Sequence, residues 1–287
     1  MTPPHRDTQD ERDTPAASGS RGARTPRSLA RRDRGDRRTA HRELPRTDAT
    51  PFPHRAMLHG LRPISSWLVR RRYRVRVQGA EHTPSTGPVL FAANHVGVMD
   101  GPLLAIFAPR PVHALTKAEM FGGRLGTFLL WSGQVPLDRF HADPAAVKTC
   151  LRVLRDDGAV GIFPEGRRGA GDLERFHRGA AYLALVTGAA VVPVTLLGTR
   201  EPGGWSGELP PRGTMVDIVF GAPFTVPPQP WPRTKEHVAA TSVLLREHML
   251  AHLAASRAST GRDLPGPLPP GDLEPDPATG VTDQGAP

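Results

Sequence analysis

The chain has 287 residues, 38% of them hydrophobic, enough to build one sizeable domain with a full core. Its 37 Lys and Arg outnumber 28 Asp and Glu for a net charge of +9, a balance that suits an anionic partner: nucleic acid, an anionic membrane surface or a phosphorylated substrate. A single cysteine, Cys150, excludes an intrachain disulfide and fits a reducing compartment.

Residues 1–55 read as a disordered basic tail. Positions 1–50 carry 12 Arg against 8 acidic residues and few aliphatics, so they cannot bury enough surface to fold alone. The first twenty residues also lack the apolar run of a secretory signal. The folded domain is expected over 56–258. It opens on Leu61, Ile64, Trp67, Leu68 and Val69, followed by Arg70-Arg71-Arg72-Tyr73-Arg74. From Arg62 to Arg76 there are six Arg and no acid. Such a segment suits the interface of an anionic bilayer, or an amphipathic helix that packs on the core with a solvated basic face. It is too short to span a membrane.

Beyond it, strands and helices alternate. Val75–Gln78, Val89–Ala93 and Val112–Thr116 read as strands, and Pro102–Phe107 and Phe121–Trp131 as helices. Asp143-Pro144 starts a helix to Arg155, with Asp at the N-cap and Pro in the first turn. Cys150 falls inside this helix as a small core residue. Ala159–Phe163 is a strand that runs into Pro164-Glu165-Gly166. Gly179 to Thr199 is 21 residues without a formal charge, long enough to cross a bilayer. Gly188, Pro193 and the β-branched run after Ala190 instead predict helix, turn and buried strand. A strand at Met215–Phe220 and an amphipathic helix from Lys235 to about Ala255 follow. Residues 259–287 read as a disordered Pro/Gly-rich tail. The alternation predicts an α/β fold with a central, mostly parallel sheet flanked by helices.

Chemistry concentrates where strands end. Asn94-His95-Val96-Gly97-Val98-Met99-Asp100 follows the strand Val89–Ala93 directly. Ligands of open α/β sheets sit at such strand ends. His95 and Asp100 suit a base and its orienting partner, able to remove a hydroxyl proton near neutral pH. Positions i and i+5 do not share a helix face, so His95 must lie in the turn and Asp100 at the start of the next helix. Gly97 permits a sharp turn there. Downstream come Lys117-Ala118-Glu119-Met120-Phe121, Val135-Pro136-Leu137-Asp138-Arg139, Phe163-Pro164-Glu165-Gly166-Arg167-Arg168-Gly169 and Val192-Pro193-Val194.

In this order these blocks resemble the glycerolipid acyltransferases of the lysophosphatidate acyltransferase type, over about residues 60–225. The resemblance implies that His95 is the catalytic base and that Asp100 fixes its tautomer. It implies that Glu165, Gly166 and Arg168 serve the acyl acceptor, with Arg168 gripping a phosphate through a forked contact. Lys117 and Arg139 would add positive charge around the phosphate or the coenzyme A moiety. Glu165 would orient an Arg or the glycerol hydroxyls.

The implied reaction moves a fatty acyl chain from acyl-CoA or acyl carrier protein to the free hydroxyl of lysophosphatidate at the cytoplasmic face of a membrane. Another lysophospholipid, glycerol phosphate or a glycolipid stands as an alternative acceptor. A basic nucleic-acid- or lipid-binding protein without catalysis is the alternative of another class. No RNA-recognition or helix-turn-helix signal supports a specific nucleic-acid partner. No cofactor and no metal are expected: with one cysteine, no Cys-x-x-Cys pair is possible. The family's third block often carries Thr and Ser hydroxyls where this chain has Arg167 and Gly169, and its first block often has Ser at the place of Gly97.

Overall fold

A computed structural model describes residues 44–272. The expectations for positions 1–43 and 273–287 lie outside the described residues. The first elements are helix α1 (Ala56–Gly60), helix α2 (Arg62–Arg72) and strand β1 (Arg74–Gln78). Strand β2 (Val89–Ala93), helix α3 (Asp100–Phe107) and strand β3 (Val112–Lys117) come next. Helix α4 (Gly123–Trp131), strand β4 (Val135–Leu137), helix α5 (Pro144–Arg155) and strand β5 (Ala159–Ile162) continue the alternation. Helix α6 (Gly179–Thr187), strand β6 (Ala190–Leu197), strand β7 (Met215–Phe220) and helix α7 (Lys235–Thr260) complete it.

The seven strands form one sheet in the order β1-β7-β6-β2-β5-β3-β4. Five of them, β6-β2-β5-β3-β4, run parallel. Strand β7 pairs antiparallel with β6, and β1 pairs parallel with β7, so this outer pair is reversed. All five residues of β2 are buried, as a strand covered on both faces requires. Its side chains alternate between two cores. Leu90 and Ala92 meet α5, α6 and α7 through residues such as Leu151, Leu183 and Met249. Val89, Phe91 and Ala93 meet Leu103 and Leu104 of α3. At about 1.5–3 kcal/mol per fully buried large apolar side chain, both faces contribute strongly.

The caps explain where elements begin and stop. The Asp143 carboxylate accepts the Ala146 N–H at 2.9 Å, opening α5. Gly188 ends α6 at φ +67°, so the uncharged stretch 179–199 is helix, turn and buried strand. Among the described residues no helix is long and apolar enough to cross a membrane.

Both expected tail boundaries move outward. Thr47 is buried, and Arg155 donates to Pro45 O at 2.8 Å and Thr47 Oγ1 at 3.1 Å. Helix α7 continues to Thr260, and residues 261–272 stay on the domain, with Pro265 buried. Polar composition concealed these segments because hydrogen bonds, rather than apolar burial, hold much of their backbone.

Candidate active site

Strands β6, β2, β5, β3 and β4 point their carboxyl ends to one edge, which places His95, Lys117, Arg139, Glu165 and Arg200 at neighbouring strand ends and loops. The pair expected from sequence forms there. His95 lies in the β2–α3 turn and Asp100 is the first residue of α3. The His95 Nδ1–H donates to Asp100 Oδ2 at 2.8 Å. Asp100 is fully buried, and the same oxygen accepts the N–H groups of Val96 at 2.7 Å and Gly97 at 2.9 Å. A carboxylate so held fixes the proton on Nδ1 and leaves Nε2 as the basic atom. The ring stacks on Phe163, with centroids 4.2 Å apart, and the His95 side chain stays 20% exposed. Gly97 serves close approach more than turning. A Cβ there would sit 2.6 Å from Thr199 O, which leaves no room for the serine often found at this place.

Glu165 departs from its expected role. The side chain turns toward the backbone of the β2–α3 turn: Oε1 accepts the His95 N–H at 2.9 Å, and the residue is buried. Burial pushes its carboxyl well above the usual carboxylate range, and the His95 N–H pulls the other way. Glu165 thus supports the backbone of the basic residue from behind. Gly169 N–H closes the same loop onto His95 O at 2.9 Å.

A cavity of about 820 Å³ opens in front of His95. Lys117, Arg139, Arg167 and Arg168 bring positive charge to its lining beside His95 and Gly166, and Leu61, Ile106, Leu129, Val147 and Leu183 bring apolar surface. Asp100 and Glu165 stand behind this cavity rather than in its wall. Gly166 adopts φ +71°, and a Cβ would strike His177 Nε2 at 2.6 Å. Arg139 donates to Gly166 O at 3.4 Å and lies 3.7 Å from Glu119 Oε1. Arg168 donates to Ser206 O at 2.9 Å, so its head is already oriented by the β6–β7 loop.

Two contributors carried no assigned role in the sequence reading. Asn94 bridges β2 to β6, donating to Leu196 O at 3.1 Å and accepting from Leu196 N–H at 2.7 Å. Its position beside His95 was the available signal. Arg200 is buried beneath the turn that carries His95 and donates to Val96 O at 2.9 Å. No group of three or more His, Cys, Asp or Glu positioned to hold a metal occurs among the described residues.

A sequence model described as Acyltransferase matches residues 74–197. That span holds the His95–Asp100 pair, Glu165 and the strands beneath them. Residues 74–197 belong to the acyltransferase family. A 1-acyl-sn-glycerol-3-phosphate acyltransferase of Bacillus subtilis is 29% identical over 177 residues, 61% of this chain and 86% of the relative. A protein of the same name from Borreliella burgdorferi is 32% identical over 150 residues, 50% of this chain and 59% of that relative. The crystal structure of the 1-acyl-sn-glycerophosphate acyltransferase PlsC from Thermotoga maritima superposes with a TM-score of 0.50 at 20% identity. It covers 69% of this chain and 80% of its own, and it shares the fold.

Proposed function

We propose that the chain transfers a fatty acyl group from acyl-CoA or acyl carrier protein to the free hydroxyl of lysophosphatidate, giving phosphatidate. The observation that carries this reading is one cavity lined by His95, five Lys and Arg side chains and many aliphatic ones. An acyl donor and a phosphorylated acceptor each require one of those environments. The relatives named above act, by their names, on 1-acyl-sn-glycerol 3-phosphate.

His95 Nε2 takes the acceptor's hydroxyl proton as the oxygen attacks the thioester carbonyl carbon. The resulting tetrahedral intermediate collapses with cleavage of the C–S bond. The thiolate leaves and receives the proton from the His95 imidazolium, so His95 ends as it began. Asp100 holds the ring through Nδ1–H and stabilises its charged state in between. No acyl-enzyme forms, and the proposal assigns no cofactor beyond the acyl donor. Arg168, Lys117 and Arg139 supply positive charge for the phosphate or the carrier.

The proposed setting is an anionic membrane surface on its cytoplasmic face. Ile64, Trp67 and Leu68 of α2 are each more than half exposed, beside Arg70 and Arg71. Leu125, Phe128 and Trp131 of α4 are about half exposed. Leu61 and Leu125 also line the cavity, which supports entry of an acyl chain from the lipid side.

The test is acyl transfer by purified protein from labelled acyl-CoA and acyl carrier protein to an acceptor panel. Lysophosphatidate, glycerol 3-phosphate, lysophosphatidylcholine and a monoacylglycerol are offered. Selective labelling of lysophosphatidate is expected, with Arg168→Ala raising the KM for that acceptor more than for the donor. Labelling of a different acceptor, or of none with either donor, overturns the proposal.

A further inference from the structure

Helix α7 ends at Gly261 in the left-handed conformation, φ +66°. The chain then runs back across the domain to Asp272, beyond residues 74–197. This strap reaches the catalytic edge of the sheet at two points.

The first is Arg200, 3% exposed. A guanidinium has five N–H donors in a fixed planar fork, and each meets a backbone carbonyl here. Nε donates to Val96 O at 2.9 Å, in the turn that carries His95. One terminal nitrogen donates to Gly204 O at 3.0 Å and to Pro267 O at 3.4 Å. The other donates to Gly169 O at 3.0 Å and to Gly266 O. Four segments distant in sequence thus converge on one side chain: the His95 turn, the loop after Arg168, the β6–β7 loop and the strap. A buried cation without a contacting carboxylate is costly unless its donors are satisfied, and Gly266 and Pro267 supply two of the five acceptors.

The second point is Asp272. Its carboxylate accepts from Ser206 N–H and, at 3.1 Å, from Ser206 Oγ. The Ser206 carbonyl in turn accepts from Arg168 at 2.9 Å. The strap therefore reaches the His95 turn through Arg200, and Arg168 through Ser206.

We infer that Arg200 and Asp272 are positioning residues. Together with the strap they fix the separation between His95, which must meet the acceptor hydroxyl, and Arg168, which must meet its charged end. Neither touches the reacting atoms. Lysine at position 200 cannot replace the fork: three donors on one nitrogen cannot reach five carbonyls spread around a plane. The inference rests on acyl transfer at His95, as proposed above.

The experiment uses the full chain as wild type, Arg200→Lys and Asp272→Ala, with two readouts. Steady-state kinetics on acyl-CoA and the labelled acceptor should show kcat reduced about 10²-fold in Arg200→Lys, the scale of a displacement near 1 Å at a reacting centre. Asp272→Ala should raise the acceptor KM about 10-fold, the worth of one charge-assisted hydrogen bond, with the donor KM unchanged. Amide hydrogen exchange should quicken in residues 95–100 and 166–171 of Arg200→Lys and in 205–207 of Asp272→Ala, leaving β2, β5 and β6 protected. General destabilisation would lower the active fraction without separating the two KM values. It would also quicken exchange across the whole sheet.

Wild-type kinetics in both variants, or uniform loss of protection, overturns the inference. Should Arg200→Lys fail to fold, Asp272→Ala decides alone, since Asp272 is partly exposed at the strap's outer end. Should wild-type protein label no acceptor, the functional proposal falls, and the exchange pattern still decides whether the strap holds these loops.

Discussion

Two aspartates in this molecule, Asp100 and Asp217, are equally inaccessible to solvent, yet they occupy opposite kinds of site. Asp100 opens α3 at the carboxyl edge of the parallel strands, where it accepts from His95 and two backbone N–H groups. Asp217 lies in β7, in the reversed pair, between Arg76 and Arg262. Arginine stays charged at any pH at which the protein is folded, so Asp217 joins permanent charges and binds β1 to β7. Asp100 instead meets an imidazole ring and two peptide N–H groups, none of them a fixed charge. Burial alone does not tell these two carboxylates apart; the chemistry of their partners does.

Substitutions can break this contrast, and His95→Ala should have the largest effect. Loss of the base is expected to lower kcat about 10²–10⁴-fold with little change in melting temperature. Asp100→Asn should come next: the amide oxygen can still accept, but Nδ1–H loses its charged acceptor. Activity at saturating substrate falls and does not recover at higher pH. Unchanged turnover in either variant, measured with labelled acyl donor, would remove the pair from the mechanism. Asp217→Asn should reverse the pattern, with a lower melting temperature and kcat reduced far less than in the first two.

Weaker effects sharpen the picture at the surface and in the core. Replacing Arg70, Arg71 and Arg72 by Gln should reduce binding to vesicles containing anionic lipid by about 1 kcal/mol per charge near the surface. Binding to neutral vesicles should be unaffected, and equal binding to both vesicle types by the wild type would discard the proposed setting.

The smallest effect concerns pH. Burial lowers the pKa of His113 and His252, which hydrogen-bond to Gly133 O and Val219 O. The unfolded chain takes up protons on these histidines below about pH 6.5, at higher pH than the folded protein does. Their contribution to stability is complete above that pH and is lost as pH falls toward their folded values. Chemical denaturation from pH 7.5 to 5.5 should show that decline, reduced in His113→Gln.

Much of the architecture was legible because it rests on period and capping. Strand β2 could be read from five consecutive apolar residues, helix α5 from Asp143-Pro144, and the end of α6 from Gly188. Strand β4 escaped as a strand because it has three residues, one of them Pro136. The reversal between β6 and β7 also escaped, since an irregular loop joins them and strand direction leaves no mark on composition. Within the site, His95 and Asp100 were legible because their chemistry lies in their side chains. The orientation of Glu165 was not, because its partner is a backbone N–H, a group every residue but proline carries. Arg200 was hidden for the same reason, since all its acceptors are peptide carbonyls.

Helix α3 has two ends with different attachments. Asp100 begins it, and Arg62 of α2 reaches over its last turn to the carbonyls of Ile106, at 3.3 Å, and Ala108. Eight helical residues form a rod about 12 Å long, too short to flex appreciably. Whatever tilts α2 therefore works one arm of a lever whose other arm carries the carboxylate behind His95. The seating of α2 and the placement of the Asp100 carboxylate thus share one short strut.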